Sequence, residues 1–563
     1  MAAIPILVIA VVQGWLLYGL HYSLEHKTWP ATEPGWLVAC YAIALFVPVS
    51  LQIFAGRLRE RLTWLLAGGI AFIAGGLGGY GGWVAEPEFG LLLTLYGALL
   101  LAWFIALPFV QARARRGTWR VSYPDLFEFS WQNALLLAEA SLFTGVFWLL
   151  LFLWGALFKV IEISFFAELF NKPAFIYPVT SIAFGYAIYL IESHEKIVIT
   201  LRRHLLGVFS WLLPLVALIA ALFLLALPFT GLQPLWKTGH ATALMLWLQV
   251  FFIHFLNSAY EDGQAEPRYP GWLKLVLRLA IFALPIYAAL CAYSLGLRVD
   301  QHGWTVSRVW AAIGTFIAAL YGVGYAAAAL RRSPWMARMA PINVGLAAVV
   351  AGVLLLAISP ILDPKRISSR SQVERLRSGA VAPAKFDYDY LHFELGRYGK
   401  DALAMLAKDP SKEVAELAAA ALDKARRYGS ASMTPEMMAS RIHLHPAGTA
   451  IDPAFVKYLE RAVREQRWQH PSCLSQIREE PCLMVALDLN ADGSPEILTL
   501  GSYPQTVYGR VEGQWKMVGT LAGPANRQQA EAAIRQARVK GIPPLWLDVT
   551  VGDVRYTMQN VPR

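Results

Sequence analysis

Apolar runs of membrane-spanning length recur along the first two thirds of the chain and limit what it can fold into. Each run approaches or exceeds the roughly 20 helical residues that cross ~30 Å of hydrocarbon. Such runs must form helices, because lipid cannot satisfy backbone groups that loops or open strands leave unpaired. We place eleven runs, near residues 4–20, 36–55, 63–84, 91–110, 134–157, 174–191, 206–228, 240–257, 274–296, 307–329 and 343–361.

Composition separates this predicted helical bundle from a more polar C-terminal part. A mean hydropathy of +0.45 with only 16% charged residues excludes an ordinary soluble protein. Residues 1–361 carry 38 Lys, Arg, Asp and Glu side chains, whereas residues 362–563 carry 50. The net charge of +10 is spread over both parts, so we expect no nucleic-acid partner.

The loops between the runs alternate in their content of Lys and Arg. One set of loops carries sixteen of these residues and the opposite set carries six. The positive-inside rule places the richer set in the cytoplasm. We therefore predict a multi-pass membrane protein, in contact with the lipid bilayer, with a cytoplasmic N-terminus and, after eleven crossings, a periplasmic C-terminal domain. The richer set comprises Arg57, Arg59, Arg61, Arg113, Arg115, Arg116, Arg120, Lys196, Arg202, Arg203, Arg268, Lys274, Arg278, Arg331, Arg332 and Arg338.

After the bundle, residues 1–361, the sequence predicts a helical connector over 362–430 and a soluble α+β domain over 431–563. The stretch DALAMLAKDPSKEVAELAAAALDKA has helical apolar spacing interrupted at Asp409 and Pro410, which indicates two short helices. From Cys482 onward short segments with β character follow one another, with one helical segment, ANRQQAEAAIRQARV, among them.

Two patterns in the α+β domain indicate chemistry. Cys473 and Cys482 are close enough in sequence to form a disulfide in an oxidising periplasm, and two buried free thiols are the alternative. Asp488, Asn490, Asp492 and Glu496 surround a glycine in DLNADGSPE, where their oxygens could converge on Ca²⁺. A plain β-hairpin turn explains the same residues.

Ionisable residues in or beside the apolar runs are candidates for a polar pocket near the cytoplasmic side, because burying them in lipid is costly. Within LWLQVFFIHFLNSAYEDG, helical spacing places His254, Asn257 and Glu261 on one face. We expect these residues to meet others near the ends of two further spans, and the alternative is that most of them end their helices in headgroups or water. The six candidates are Glu139, Glu192, His194, His254, Asn257 and Glu261.

Glycine is concentrated in the third run, LAGGIAFIAGGLGGYGGW. Gly75 and Gly79, and also Gly78 and Gly82, are four residues apart, which lets helix backbones approach closely. The pattern predicts packing inside the bundle, and dimerisation is the alternative.

Several segments resemble the domain-of-unknown-function 4153 family of bacterial multi-pass membrane proteins. The segments that carry the resemblance are LFLWGALFKVIEISFFAELF, FLNSAYEDG, ALPIYAALCAYSLGLRVDQHGWTVSRV and ISPILDPKRISSRSQVERLRSG with the following FDYDYLHFELGRYGKDAL. The resemblance covers most of residues 130–405. It implies an inner-membrane protein and carries over no activity, cofactor or catalytic residue.

One matched segment forms a polar connection between two runs on the predicted periplasmic side. Arg298, Asp300, Gln301 and Arg308 could bind an anionic headgroup or glycan, or dock onto the C-terminal domain. The alternative is a simple loop in which Thr305 or Ser307 caps the next helix.

Without a recognisable catalytic set, we favour a non-enzymatic protein whose periplasmic domain binds or senses an envelope protein, lipid or glycan. The alternative is a transporter or lipid-handling protein that uses the polar pocket. A membrane enzyme acting on a lipid-linked substrate is a third hypothesis. Calcium is the only cofactor that the sequence suggests.

Overall fold

The computed structural model describes the chain apart from sixteen segments, and the chain divides into two compact units, Met1–Leu422 and Asp423–Arg563. The segments outside the description are residues 1–2, 86–91, 194, 234–240, 265–268, 331–335, 424–434, 447, 465–473, 475–481, 501–504, 522–526, 537, 540–548, 552–553 and 557–563.

The first unit is a helical bundle, and eleven spans in its described residues are long and apolar enough to cross a membrane. One of them, Gly271–His302, combines two helices that meet at Phe282. These spans confirm the predicted polytopic bundle. The helices are α1 Ala3–Glu25, α2 Pro34–Ile53, α3 Arg61–Ala85, α4 Leu92–Arg116, α5 Tyr123–Val160, α6 Phe165–Phe170, α7 Pro173–Glu192, α8 Glu195–Thr230, α9 Ala241–Tyr260, α10 Gly271–Ile281, α11 Ala283–His302, α12 Val306–Ala329 and α13 Met339–Ala357.

The glycines of α3 let that helix pack tightly inside the bundle, and α2 is the helix that they meet. A Cβ at Gly78 would lie 3.1 Å from the carbonyl oxygen of Val38, and a Cβ at Gly82 would lie 2.4 Å from that of Pro34. By contrast, a Cβ at Gly76 would meet nothing within 4 Å. The face of α3 that carries Gly78 and Gly82 is therefore fixed by contact with α2, whereas the position of Gly76 is open.

Four short helices follow the last span and belong to the same compact unit as the bundle. They are α14 Pro364–Arg377, α15 Tyr388–Glu394, α16 Gly396–Leu406 and α17 Lys412–Leu422. Asp363 caps α14, because one carboxylate oxygen accepts from the backbone N–H of Lys365 at 2.7 Å. The other oxygen accepts from the hydroxyl of Tyr80 in α3 at 2.5 Å. The carboxylate therefore joins the start of α14 to the end of a membrane helix.

Side chains of α14 also hold the loop between α11 and α12. Arg375 donates to the carbonyl oxygens of Asp300 at 3.0 Å and Gln301 at 2.7 Å. Gln372 donates to the carbonyl of Trp304 at 2.8 Å, and the hydroxyl of Ser368 donates to the same carbonyl at 3.0 Å. We call this set of hydrogen bonds the α14 clamp. It fixes the helix through which the chain leaves the bundle.

We expect Arg375→Ala to loosen the α14 clamp and to lower stability by about 1–2 kcal/mol, since two hydrogen bonds from a charged donor are lost at a partly exposed site. Thermal unfolding and limited proteolysis near residue 301 measure the effect. Arg370→Ala is the matched control, because Arg370 is exposed on the same helix. Equal behaviour of the two variants would contradict the clamp.

The second unit contains a five-stranded mixed sheet, as the predicted α+β domain requires. Its strand order is β1-β2-β3-β4-β5, with β1 parallel to β2 and the other neighbours antiparallel. Phe455, Tyr508 and Met484 lie in the core that this sheet shares with α19. The elements are α18 Pro435–Arg441, β1 Ile442–His445, α19 Pro453–Arg464, β2 Cys482–Leu487, β3 Glu496–Thr499, β4 Gln505–Val511, β5 Gln514–Leu521, α20 Arg527–Arg535, β6 Val549–Val551 and β7 Val554–Tyr556.

Asp452, just before α19, ties that helix to the hairpin of β4 and β5. Its carboxylate accepts from the guanidinium of Arg510 at 2.7 Å and from the indole N–H of Trp515 at 2.6 Å. Partial burial alone raises the pKa of Asp452, but these hydrogen bonds and one from the backbone N–H of Ala454 outweigh it and lower the pKa below its ordinary value. The carboxylate is therefore a structural link of this unit.

Candidate functional site

A cavity of about 360 Å³ opens between helices α4, α5, α9, α12 and α13. It lies where α4 ends and where α5 and α13 begin, at the end of the bundle that carries the arginine-rich loops. We call it the His254 cavity. Its lining residues are Phe104, Ile105, Pro108, Phe109, Tyr123, Leu126, Phe127, Ser130, Trp131, Ala134, His254, Asn257, Ser258, Tyr321, Asn343, Val344 and Ala347.

Helical periodicity explains how α5 supplies one wall of the His254 cavity. The lining positions on α5 are 123, 126, 127, 130, 131 and 134, which follow the three- and four-residue spacing of a single helix face. Ser130 is the small polar residue in the middle of this aromatic stripe. The face is therefore mainly apolar, with hydroxyl-bearing residues at two of its positions, Tyr123 and Ser130.

Three side chains close a hydrogen-bonded ring beside this cavity. The amide nitrogen of Asn257 donates to the hydroxyl of Tyr325 at 2.7 Å, which donates to the amide oxygen of Asn343 at 2.5 Å. The amide nitrogen of Asn343 donates to the amide oxygen of Asn257 at 2.6 Å. Tyr325 is fully buried. Because the three residues come from α9, α12 and α13, the ring fixes the relative positions of three membrane helices.

His254 lies on the cavity wall among aromatic rings. Its imidazole centroid is 5.0 Å from that of Phe209 and 6.5 Å from that of Trp131. The next turn of α9 adds Ser258, whose hydroxyl donates to the carbonyl of His254 at 2.9 Å. The imidazole is thus a polar group among aromatic side chains, and these surroundings suit the apolar or aromatic part of a ligand.

A second cavity of about 330 Å³ lies against a neighbouring stripe of α5. Glu128 and Gln132 line it together with Glu192 of α7 and Arg202 of α8. Glu128 forms an ion pair with Arg115, with a shortest nitrogen–oxygen distance of 2.7 Å. This second cavity is more polar than the first, and one of its carboxylates already has a cationic partner.

The structure divides the residues that the sequence suggests for one polar pocket. His254 and Asn257 meet at the first cavity, whereas Glu192 lines the second. Glu139 lines neither of these cavities, and one of its carboxylate oxygens is buried without a hydrogen-bond partner in the described part of the chain. Glu261 lies in the turn after α9 with a φ of 51°. His194 lies outside the described residues.

Sequence reasoning missed two members of the hydrogen-bonded ring. Asn343 is an amide in the apolar run PINVGLAAVV and could have been noticed for that reason. Tyr325 gives no such signal, because aromatic residues are frequent throughout the spans.

The predicted loop site between α11 and α12 is held largely by its backbone. The carbonyls of Asp300 and Gln301 accept from Arg375 of the α14 clamp, and Arg308 donates to the carbonyl of Gly303 at 2.8 Å. Thr305 caps α12, as the simpler alternative predicts. The side chains of Asp300 and Gln301 remain exposed, and binding of a headgroup or glycan by this loop and Arg298 stays a prediction.

The acidic turn between β2 and β3 is stabilised by its own hydrogen bonds. Asp488 accepts from the backbone N–H of Gly493 at 3.0 Å, and Glu496 accepts from that of Leu489 at 2.8 Å. Asp492 accepts from the side-chain amide of Asn490 at 2.8 Å. These bonds are those of a β-hairpin turn, and calcium binding at this turn stays a prediction.

Only one of the two cysteines of the predicted disulfide lies in the part of the chain that the structure describes. Cys482 begins β2, is fully buried and is disulfide-bonded. Cys473 lies outside the described residues. The pairing of these two cysteines therefore stays a prediction.

Comparison with known proteins finds one family match, and it covers mainly the membrane part of the chain. No curated protein and no solved structure matches it. The family model described as "Domain of unknown function (DUF4153)" matches residues 16–407, a range that includes all helices of the bundle from the latter part of α1 and most of the α14–α17 segment. The protein therefore belongs to the DUF4153 family.

Proposed function

We propose that this protein is a non-enzymatic bacterial inner-membrane protein that binds an amphipathic, lipid-like molecule in the His254 cavity. The cavity is the observation that carries the proposal. Its volume of about 360 Å³ and its mainly aromatic and aliphatic lining resemble the ~300–1,000 Å³ apolar pockets in which proteins bind small molecules. This is the lipid-handling hypothesis, located at one of the two cavities.

The polar groups around the cavity suit recognition of a polar headgroup. Asn257, Tyr325 and Asn343 direct hydrogen bonds at one another. The imidazole of His254 and the hydroxyl-bearing side chains of Ser130, Tyr123 and Tyr321 also line the cavity and can contact a ligand. The described lining residues include no carboxylate, the group that commonly orients an imidazole in acid–base catalysis. Binding of an amphipathic molecule therefore explains this set of side chains better than turnover does.

Filling the cavity tests the proposal. We expect Ser130→Phe to reduce the small molecule that copurifies with the protein about tenfold, as a loss of ~1.4 kcal/mol in affinity would. Native mass spectrometry, followed by solvent extraction, measures it. Ser141→Phe is the matched control, since Ser141 is exposed on the same helix. Undiminished retention by Ser130→Phe, with its ring in the cavity, would refute the proposal.

A second candidate function is binding or sensing of an envelope component by the C-terminal unit. The α14 clamp favours it, because the bundle holds the helix from which the chain continues toward that unit. The excess of Lys and Arg in alternate loops supports a periplasmic position for the unit. A disulfide at Cys482 fits the same oxidising compartment.

Labelling of intact spheroplasts tests this orientation. Glu512 lies in the turn between β4 and β5 with a side chain that is 86% exposed, so a cysteine at this position is accessible. We expect Glu512→Cys to react with a membrane-impermeant maleimide without lysis. Reaction only after lysis would place the unit in the cytoplasm and remove this second candidate. A photoreactive residue at the same position would then identify the envelope component.

A further inference from the structure

An open groove runs between α2 and α3. It encloses about 780 Å³. Its floor is formed in part by Gly75, Gly76 and Gly79, whose lack of side chains creates the space. Phe72, exposed over 83% of its surface, and Trp36, exposed over 59%, lie along it. A membrane-spanning chain that leaves such apolar surface open presents it to lipid.

The length of the groove matches one leaflet of a bilayer. Ala71 and Trp83 line its two ends on α3, and twelve residues at ~1.5 Å per residue correspond to about 18 Å. One leaflet, half of a ~30 Å hydrocarbon core, is slightly thinner than this length. The upper end, near Trp83 and Glu33, is the end of the bundle at which α14 begins, because Tyr80 bonds to Asp363 there.

The rim of the groove carries two opposite charges. The guanidinium of Arg397 lies 4.4 Å from the ring centroid of Trp83, and no ion pair of Arg397 is present in the described part of the chain. Glu33 lines the same rim. Tryptophan is typical of the membrane–water interface, and arginine is well suited to binding phosphate.

We propose that this groove binds one phospholipid with an amine-bearing, zwitterionic headgroup, such as phosphatidylethanolamine. An acyl chain lies along the glycine floor, the phosphate contacts Arg397, and the headgroup amine meets Glu33. The carboxylate of Glu33 disfavours a lipid with net negative charge. The groove lies at the opposite end of the bundle from the His254 cavity, so this site is independent of the proposed function.

Native mass spectrometry of the full chain, released from nanodiscs with equal parts of phosphatidylethanolamine, phosphatidylglycerol and phosphatidylcholine, tests the site. We expect wild-type protein to retain one phosphatidylethanolamine. Gly76→Trp places a large side chain at a position that lines the groove and where a Cβ meets nothing within 4 Å, and the lipid is lost. Arg397→Gln retains about tenfold less, as loss of one charge-assisted contact predicts.

Gly69→Trp is the matched control. Gly69 is on the same helix, is also open within 4 Å and does not line the groove, so its variant retains the lipid. Ser130→Phe also retains it, which separates this site from the His254 cavity. If Gly76→Trp does not fold, lipid retention by Arg397→Gln alone tests whether the groove is the binding site.

Four outcomes would overturn the proposal. Retention of the lipid by Gly76→Trp and Arg397→Gln would show that the groove is not its site, and equal loss in Gly69→Trp would show annular lipid only. Retention of phosphatidylglycerol in place of phosphatidylethanolamine would refute the role of Glu33. A wild-type dimer that Gly76→Trp converts to monomer would assign the groove to a second copy of the chain.

Discussion

Gly82→Ala is expected to lower the stability of the folded protein by about 2–3 kcal/mol, the upper part of the range for overpacked cores. The added Cβ would lie 2.4 Å from the carbonyl oxygen of Pro34 and 2.9 Å from its carbonyl carbon. Both are backbone atoms that no rotamer change can move. Helices α2 and α3 must therefore separate, and the contacts along their glycine face weaken together.

Gly76→Ala is the matched control on the same helix, and its effect has the opposite sign. The new Cβ meets nothing within 4 Å, and alanine is favoured over glycine in a helix by about 0.5–1 kcal/mol. Thermal unfolding of detergent-purified variants, followed by tryptophan fluorescence, measures both changes. A Gly82→Ala midpoint equal to or above that of Gly76→Ala would show that α2 and α3 do not pack as described.

Tyr325→Ala is expected to cost about 3–5 kcal/mol, the range for removal of a large buried aromatic side chain. Tyr325 is fully buried, and its hydroxyl both accepts from Asn257 and donates to Asn343. Tyr325→Phe keeps the ring volume and removes only the hydroxyl. We expect it to cost about 1–3 kcal/mol, because amide groups are left without their partners in an apolar region.

Comparing the two substitutions separates packing from hydrogen bonding at this position. Tyr186→Phe serves as the control, since Tyr186 is 41% exposed and loss of its hydroxyl should change the unfolding midpoint little. Isothermal denaturant unfolding in one detergent gives all three values. If Tyr325→Phe were as stable as Tyr186→Phe, the ring of Asn257, Tyr325 and Asn343 would contribute no measurable stability.

Local physical rules in the sequence predict the architecture of this protein well. The eleven apolar runs correspond to eleven spans, because the need to satisfy backbone groups in lipid leaves helices as the solution. The spacing of Gly78 and Gly82 indicated that this helix packs closely inside the bundle, but not that α2 is the helix it meets. Membership of the DUF4153 family was visible in segments of the bundle and the helix after it.

The sites were less predictable, because they depend on which helices become neighbours. Periodicity places His254 and Asn257 on one face of α9, but it does not indicate that α12 and α13 supply Tyr325 and Asn343 to the same place. In the same way, Arg375 looks like an ordinary charge of a polar helix. Its bonds to carbonyls 74 and 75 residues earlier in the chain follow from tertiary packing alone.

The most direct test of the proposed function is an experimental density map of the full chain in lipid nanodiscs, determined for wild type and for Ser130→Phe. For wild type, we predict elongated density between α4, α5, α9, α12 and α13 that contacts the imidazole of His254. In Ser130→Phe the phenyl ring replaces that density. A wild-type cavity that contains only water, or that is closed by its own side chains, would contradict the account.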